Sequence, residues 1–123
     1  MKILLSIKPE YVEKIISGEK RFEFRRKLPK KSGIHTVVVY ATMPVGKVVG
    51  EFTIQQILSM SPEQLWQQTA THSGVSKDFF DQYFKQRDTA HAFQIGIFKK
   101  YTQPKPLKDF VPSGFAPQSF CYI

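Results

Sequence analysis

The sequence predicts an α+β fold weighted towards β: a small β-barrel with short helices at its side and a two-helix insertion between strands. Three observations carry this. Period-two alternation of apolar and polar residues recurs in short runs, most plainly over 22–25, 47–58 and 90–98. Helical spacing is confined to three short stretches with marked ends. Strands and helices do not alternate strictly, so a parallel α/β sheet is the poorer description. At 123 residues the chain suits one domain, residues 1–123, with one core.

Taken in order, Lys2 to Ile7 is a short apolar run of strand character, which Lys8-Pro9 stops. Pro9 suits the first turn of a helix, where its missing N–H costs nothing. Tyr11, Val12, Ile15 and Ile16 then recur at helical spacing, Glu10 and Glu13 lie near the positive end of the dipole, and Gly18 is placed for the left-handed C-terminal turn. In the next strand Phe22 and Phe24 alternate with Arg21, Glu23 and Arg25, and the phenylalanines are expected to point inward. Residues 26–33 have no apolar period but carry a proline, a glycine and four bases, so they read as an exposed basic loop.

Ile34 to Tyr40 is β-branched on both parities and should be a central strand covered on both faces. Lys47 to Leu58 reads as a long half-buried strand, in which Gly50 suggests a bulge or sharp bend. Ser61-Pro62-Glu63-Gln64 is a capping box that opens a helix with Leu65 and Trp66. A second cap at Ser76 opens another helix with Phe79, Phe80, Tyr83 and Phe84 on one face. Ala90 to Phe98 returns to strand patterning. The proline-rich remainder ends in a short strand around Phe120 to Ile123.

Composition narrows the function classes. Hydrophobic residues make up 41% and aromatics 14%, enough for a phenylalanine-rich core. Lys and Arg number 18 against 10 Asp and Glu. Ten of these bases and four of the acids lie before His35, so six of the eight excess positive charges fall in the first third. Charge concentrated in this way favours an anionic partner, since a patch focuses potential where scattered charge does not. The lone Cys121 makes no internal disulfide, and Ile3-Leu4-Leu5 is too short for a signal peptide or a membrane span. A reduced, cytoplasmic setting is the expectation, with no membrane partner.

Several chemistries lack their residues. His35, His72 and His91 are far apart in sequence, so no metal is expected. No phosphate-cradling glycine loop and no nucleophile elbow is present, so no nucleotide cofactor is expected either. What remains is Gly18-Glu19-Lys20-Arg21-Phe22-Glu23-Phe24-Arg25. Lys20 and Glu23 lie at opposite strand parity and converge only if Lys20 is still in the turn; Lys20, Glu23 and Arg25 then share one cleft. A lysine between a carboxylate and an apolar wall has a tunable pKa, useful in anion binding or proton transfer. Patterning leaves this open against a salt-bridge ladder on a solvated face.

The run Gly18-x-Lys20-x-x-Glu23-x-Arg25 resembles the GxKxxExR signature of ASCH domains, a branch of the PUA-like superfamily. Leu5-Ser6-Ile7-Lys8-Pro9-Glu10-Tyr11, Gly50-Glu51-Phe52 and the tail Pro117-Gln118-Ser119-Phe120 are similar to small bacterial and phage members. The resemblance implies a β-barrel whose cleft receives RNA or a nucleobase, lined by Lys20, Glu23 and Arg25 with Lys8 and Ser6 beside them. Arg21, Arg26 and Lys27, with Lys30 and Lys31, would contact the nucleic-acid backbone outside it.

Activity in that family is divided. Some members are amidohydrolases acting on N4-acetylcytidine, with the signature lysine, a threonine and a glutamate; one relative is described as a ribonuclease; others have inferred RNA binding. Here Glu23 stands where the amidohydrolases carry threonine. If the protein is an enzyme, Lys20 and Glu23 are its catalytic pair, with Glu51 a second carboxylate to consider. A third reading, a protein-interaction module, calls for an exposed apolar patch around Trp66, Phe79 and Phe80.

Overall fold

The computed structural model describes all of residues 1–123. Six strands form one mixed sheet: β1 (Lys2–Ile7), β2 (Phe22–Arg25), β3 (Thr36–Ala41), β4 (Lys47–Met60), β5 (Ala90–Lys105) and β6 (Phe120–Tyr122). Their order is β2-β5-β4-β3-β1-β6. The β1–β3 pair is parallel and the other pairs are antiparallel. Because β2 and β6 are both edges, the sheet curls into a half-barrel rather than a closed barrel. Three helices accompany it: α1 (Pro9–Ser17), α2 (Pro62–Thr69) and α3 (Lys77–Tyr83).

The helix ends follow from local chemistry. Pro9 opens α1, and Gly18, at φ 85°, closes it with its N–H donating to the Ile15 carbonyl. The side chains of Ser61 and Ser76 accept from the Gln64 and Phe79 N–H groups at the starts of α2 and α3. Val37 and Val39 of β3 join Ile3, Leu5, Val12, Ile15, Phe52 and Phe93 in one cluster, while Val38 and Tyr40 pack with Leu4, Val48 and Leu107 on the opposite face. The central strand is therefore covered on both sides, as its two β-branched parities required.

A third cluster, Phe24, Leu65, Phe80, Phe84, Ala90 and Ala92, fixes the α2–α3 insertion to β2 and β5. Trp66 packs on Phe80 at 5.0 Å between ring centroids, and Phe80 is buried. Of the apolar patch required of an interaction module, Phe80 is thus internal core and Trp66 half-buried, while Phe79 stays exposed. At Gly50 the β4–β5 register shifts, and an added Cβ there would lie 2.5 Å from the Lys99 carbonyl oxygen. β5 runs on to Lys105, past the Phe98 boundary expected from alternation, because β4 supplies ladder partners as far as Val48.

Candidate nucleic-acid interface

The site begins where α1 hands the chain to β2. The Lys20 N–H donates to the Lys14 carbonyl, the Arg21 N–H to the His72 carbonyl, and the Ile95 N–H to the Arg21 carbonyl, each at 2.9 Å. Three backbone bonds thus pin two residues of the turn. Lys20 lies before β2 begins, the placement that lets it meet Glu23 despite their opposite parity.

Lys20 is 2% exposed and Glu23 8%. Lys20 Nζ lies 4.0 Å from Glu23 Oε1, and Arg25 Nη1 lies 3.4 Å from Glu23 Oε2, so the carboxylate is held between two cations. Burial at this depth rules out a ladder on a solvated face. Alternation of Phe22 and Phe24 around Glu23 would leave Glu23 outside, but the second face of β2 looks into a cleft, so Glu23 is buried as well as Phe24.

Lys20 Nζ also donates to the Ser73 carbonyl at 2.9 Å and lies 4.9 Å and 5.4 Å from the ring centroids of Phe24 and Tyr11. Burial disfavours the ammonium and moves the Lys20 pKa down; Glu23 opposes the shift, and Lys14 adds to it. Tyr11 is displaced upward, chiefly by burial and then by the charges of Glu10 and Glu23. Gly74 completes the enclosure at φ +69°, where an added Cβ would fall 2.5 Å from Lys20 Cβ.

In front of this group the cleft has two connected parts. An inner hollow of about 140 Å³ is walled by Tyr11, Phe24, Phe79 and Tyr83, with Glu23 and Arg25 at its polar side. An outer hollow of about 460 Å³ shares Ser6, Lys8, Arg25 and Tyr83 with it and adds Arg26, Lys27, Arg87, Gln118 and Ser119. Ser6 Oγ donates to the Pro117 carbonyl at 2.8 Å and Arg25 Nη2 to Ser119 Oγ at 2.7 Å, so the tail closes one side of the mouth.

The structure therefore brings together Ser6, Lys8, Glu23, Arg25, Arg26 and Lys27 around one cleft. Lys20 sits behind Glu23 rather than on the wall. Arg21 faces a separate hollow near Gly18 and Gln94, and its Nε donates to the Gly18 carbonyl. Glu51 is engaged elsewhere, accepting from Tyr101 Oη at 2.8 Å and pairing with Lys2. Sequence reasoning missed the aromatic walls and Arg87. Tyr11, Phe79 and Tyr83 read as core-facing helical positions, and only the i, i+4 spacing of Phe79 and Tyr83 signalled a second aromatic face on α3. No three His, Cys, Asp or Glu side chains gather anywhere in the structure.

Residues 5–101, which include the signature and both cleft-forming helices, match the ASCH domain. The chain belongs to the ASCH domain family. The ASCH crystal structure from Zymomonas mobilis superposes with a TM-score of 0.89 at 27% identity, covering 99% of this chain and 87% of that one. An ASCH domain-containing ribonuclease of Zymomonas mobilis is 31% identical over 92 residues, which is 75% of this chain and 62% of that protein. Large ribosomal subunit protein uL22 of Ureaplasma parvum is 31% identical over 118 residues, which is 92% of this chain and 38% of that protein. This ASCH domain thus spans less than two thirds of the length of either protein. No helix in it is long and apolar enough to cross a membrane.

Proposed function

We propose that this ASCH domain binds RNA, holding one base in the inner hollow while the cations of the rim meet the backbone. The observation that carries this is the pairing of an aromatic-walled recess, closed at its back by Lys20–Glu23–Arg25, with a mouth lined by cations and no acid. Aromatic faces take any base by stacking. The Glu23 carboxylate accepts from a base N–H, and Arg25 donates to a base carbonyl. The name of the Zymomonas relative, a ribonuclease, supports an RNA substrate. Fluorescence anisotropy with a labelled mixed-sequence single-stranded RNA tests this over a series of KCl concentrations. The logarithm of affinity is expected to fall by about 0.7 per phosphate neutralised for each unit in log[salt]. Absent or salt-insensitive binding overturns the reading.

A second reading is favoured by Lys20. An ammonium disfavoured by burial beside a carboxylate suits proton transfer, so the same cleft would serve a hydrolase acting on RNA or on a modified nucleoside such as N4-acetylcytidine. Glu23 is then the general base that reaches the ligand, with Lys20 paired to it from behind at 4.0 Å. Turnover of labelled RNA or N4-acetylcytidine that is lost in Glu23→Gln, while that variant still folds by circular dichroism at the assay temperature, supports it. Activity retained in that variant removes the assignment.

A further inference from the structure

The two parts of the cleft differ in their charge balance. The inner hollow is mostly aromatic and contains the Glu23 carboxylate, which offsets the cations beside it, Arg25 at 3.4 Å and Lys20 at 4.0 Å. The outer hollow draws Lys8, Arg25, Arg26, Lys27 and Arg87 from three separate parts of the chain, and no Asp or Glu lines it. Arg25 is partly compensated by Glu23, and Arg26 is held in place, with Nε donating to the Tyr83 carbonyl at 2.8 Å and its guanidinium 4.2 Å from the Tyr83 ring. Lys8, Lys27 and Arg87 take part in no ion pair.

Arg87 is delivered by an unusual turn. After α3, Gln86 adopts φ 62°, a left-handed conformation that costs a non-glycine residue energy, and the Arg87 N–H is tied to the Phe84 carbonyl at 3.0 Å. The insertion thereby places a cation at the mouth of a cleft whose floor belongs to the barrel.

We propose that the outer hollow is a phosphate subsite completed by Arg87, so that the cleft takes a nucleotide bearing its phosphate, base inward and phosphate outward, in preference to a free nucleoside. This rests on the RNA-binding reading above and names the part of the ligand that the mouth selects. Uncompensated cations converging on one hollow repel one another until an anion enters, and Arg87 supplies the forked donor geometry that phosphate oxygens accept.

The test uses inorganic pyrophosphate and RNA as separate probes on the wild-type chain, Arg87→Ala and Lys99→Ala, the last removing an exposed cation outside the hollow. Pyrophosphate is expected to shift the amide resonances of Arg26, Lys27 and Arg87 saturably, with about tenfold weaker binding in Arg87→Ala and none of that loss in Lys99→Ala. Failure to saturate, or equal affinity in Arg87→Ala, overturns the subsite. With the labelled RNA, Arg87→Ala is expected to lower the salt slope by about 0.7, the share of one phosphate contact. RNA binding with an unchanged slope overturns the subsite but leaves RNA binding standing. Pyrophosphate binding without RNA binding overturns the RNA reading but leaves an anion site.

Discussion

Arg25 Nη2 donates to Ser119 Oγ across 2.7 Å, and this bond joins the two edges of the sheet. Arg25 ends β2 and Ser119 immediately precedes β6, the strands at opposite ends of the order. The backbone leaves the half-barrel open, and side chains span the opening. The cleft lies at this seam, with Arg25 holding Glu23 on one side and the tail on the other.

Ser119→Ala tests the seam. The bond is exposed, so the stability loss in urea unfolding is expected to be about 1 kcal/mol or less. Arg25 loses its tether, and RNA affinity is expected to fall about threefold to tenfold, the worth of one ordinary hydrogen bond. Unchanged affinity would show that the tail only covers the mouth.

Gly74→Ala separates the enclosure of Lys20 from its charge. A left-handed φ and an added Cβ 2.5 Å from Lys20 Cβ both oppose the substitution. Destabilisation of about 1–3 kcal/mol is expected from the backbone alone. Ser73→Ala keeps the backbone carbonyl that accepts from Lys20 and should cost less, a comparison that denaturant midpoints settle.

Removing one member of the buried pair strips the other of a partner, leaving Lys20 without a carboxylate or Glu23 with Arg25 alone. Lys20→Met is expected to cost about 3–5 kcal/mol, and the double variant Lys20→Met, Glu23→Gln less than the sum of the single ones. A double-mutant cycle with strictly additive losses would contradict a direct Lys20–Glu23 coupling.

Tyr101 offers a pH test away from the cleft. Burial, followed by its hydrogen bond to Glu51 and that residue's charge, pushes its pKa up to about 12. A folded value above the ordinary 10 means that stability from this group is fully present below about pH 10 and lost as pH rises towards 12. Tyr101→Phe should flatten that part of the wild-type stability curve. Lys20, with its pKa lowered by burial, acts in the opposite sense: its contribution rises with pH between its folded value and the ordinary lysine range.

Much of this was legible in the sequence because local rules and tertiary packing agree. Pro9 and Gly18 bound α1, Ser61 and Ser76 open α2 and α3, and Gly50 marks a register shift. Parity made the meeting of Lys20 and Glu23 conditional on Lys20 still lying in the turn, and β2 indeed begins only at Phe22. The burial of Glu23 did not, since period-two patterning assigns one face of a strand to solvent unless something else covers it. The cover comes from Tyr11 on α1 and from Phe79 and Tyr83 on α3, residues distant in sequence. α3 also divides its aromatics: Phe80 enters the core, while Phe79 and Tyr83 stack together at 6.0 Å beside the cleft. The polar end of β5, with Pro104, resembles a loop by composition and is a strand only because β4 pairs with it.

RNA entry into the cleft between the sheet edges has a rival, because the chain also presents exposed Lys47, Lys99, Lys100 and Lys105 along β4 and β5. Amide chemical-shift mapping with the mixed-sequence single-stranded RNA distinguishes the two surfaces in one titration. Shifts are expected at Ser6, Lys8, Tyr11, Glu23, Arg25, Tyr83, Arg87 and Ser119. Shifts confined to the lysines of β4 and β5, with the cleft resonances unmoved, would contradict entry into the cleft.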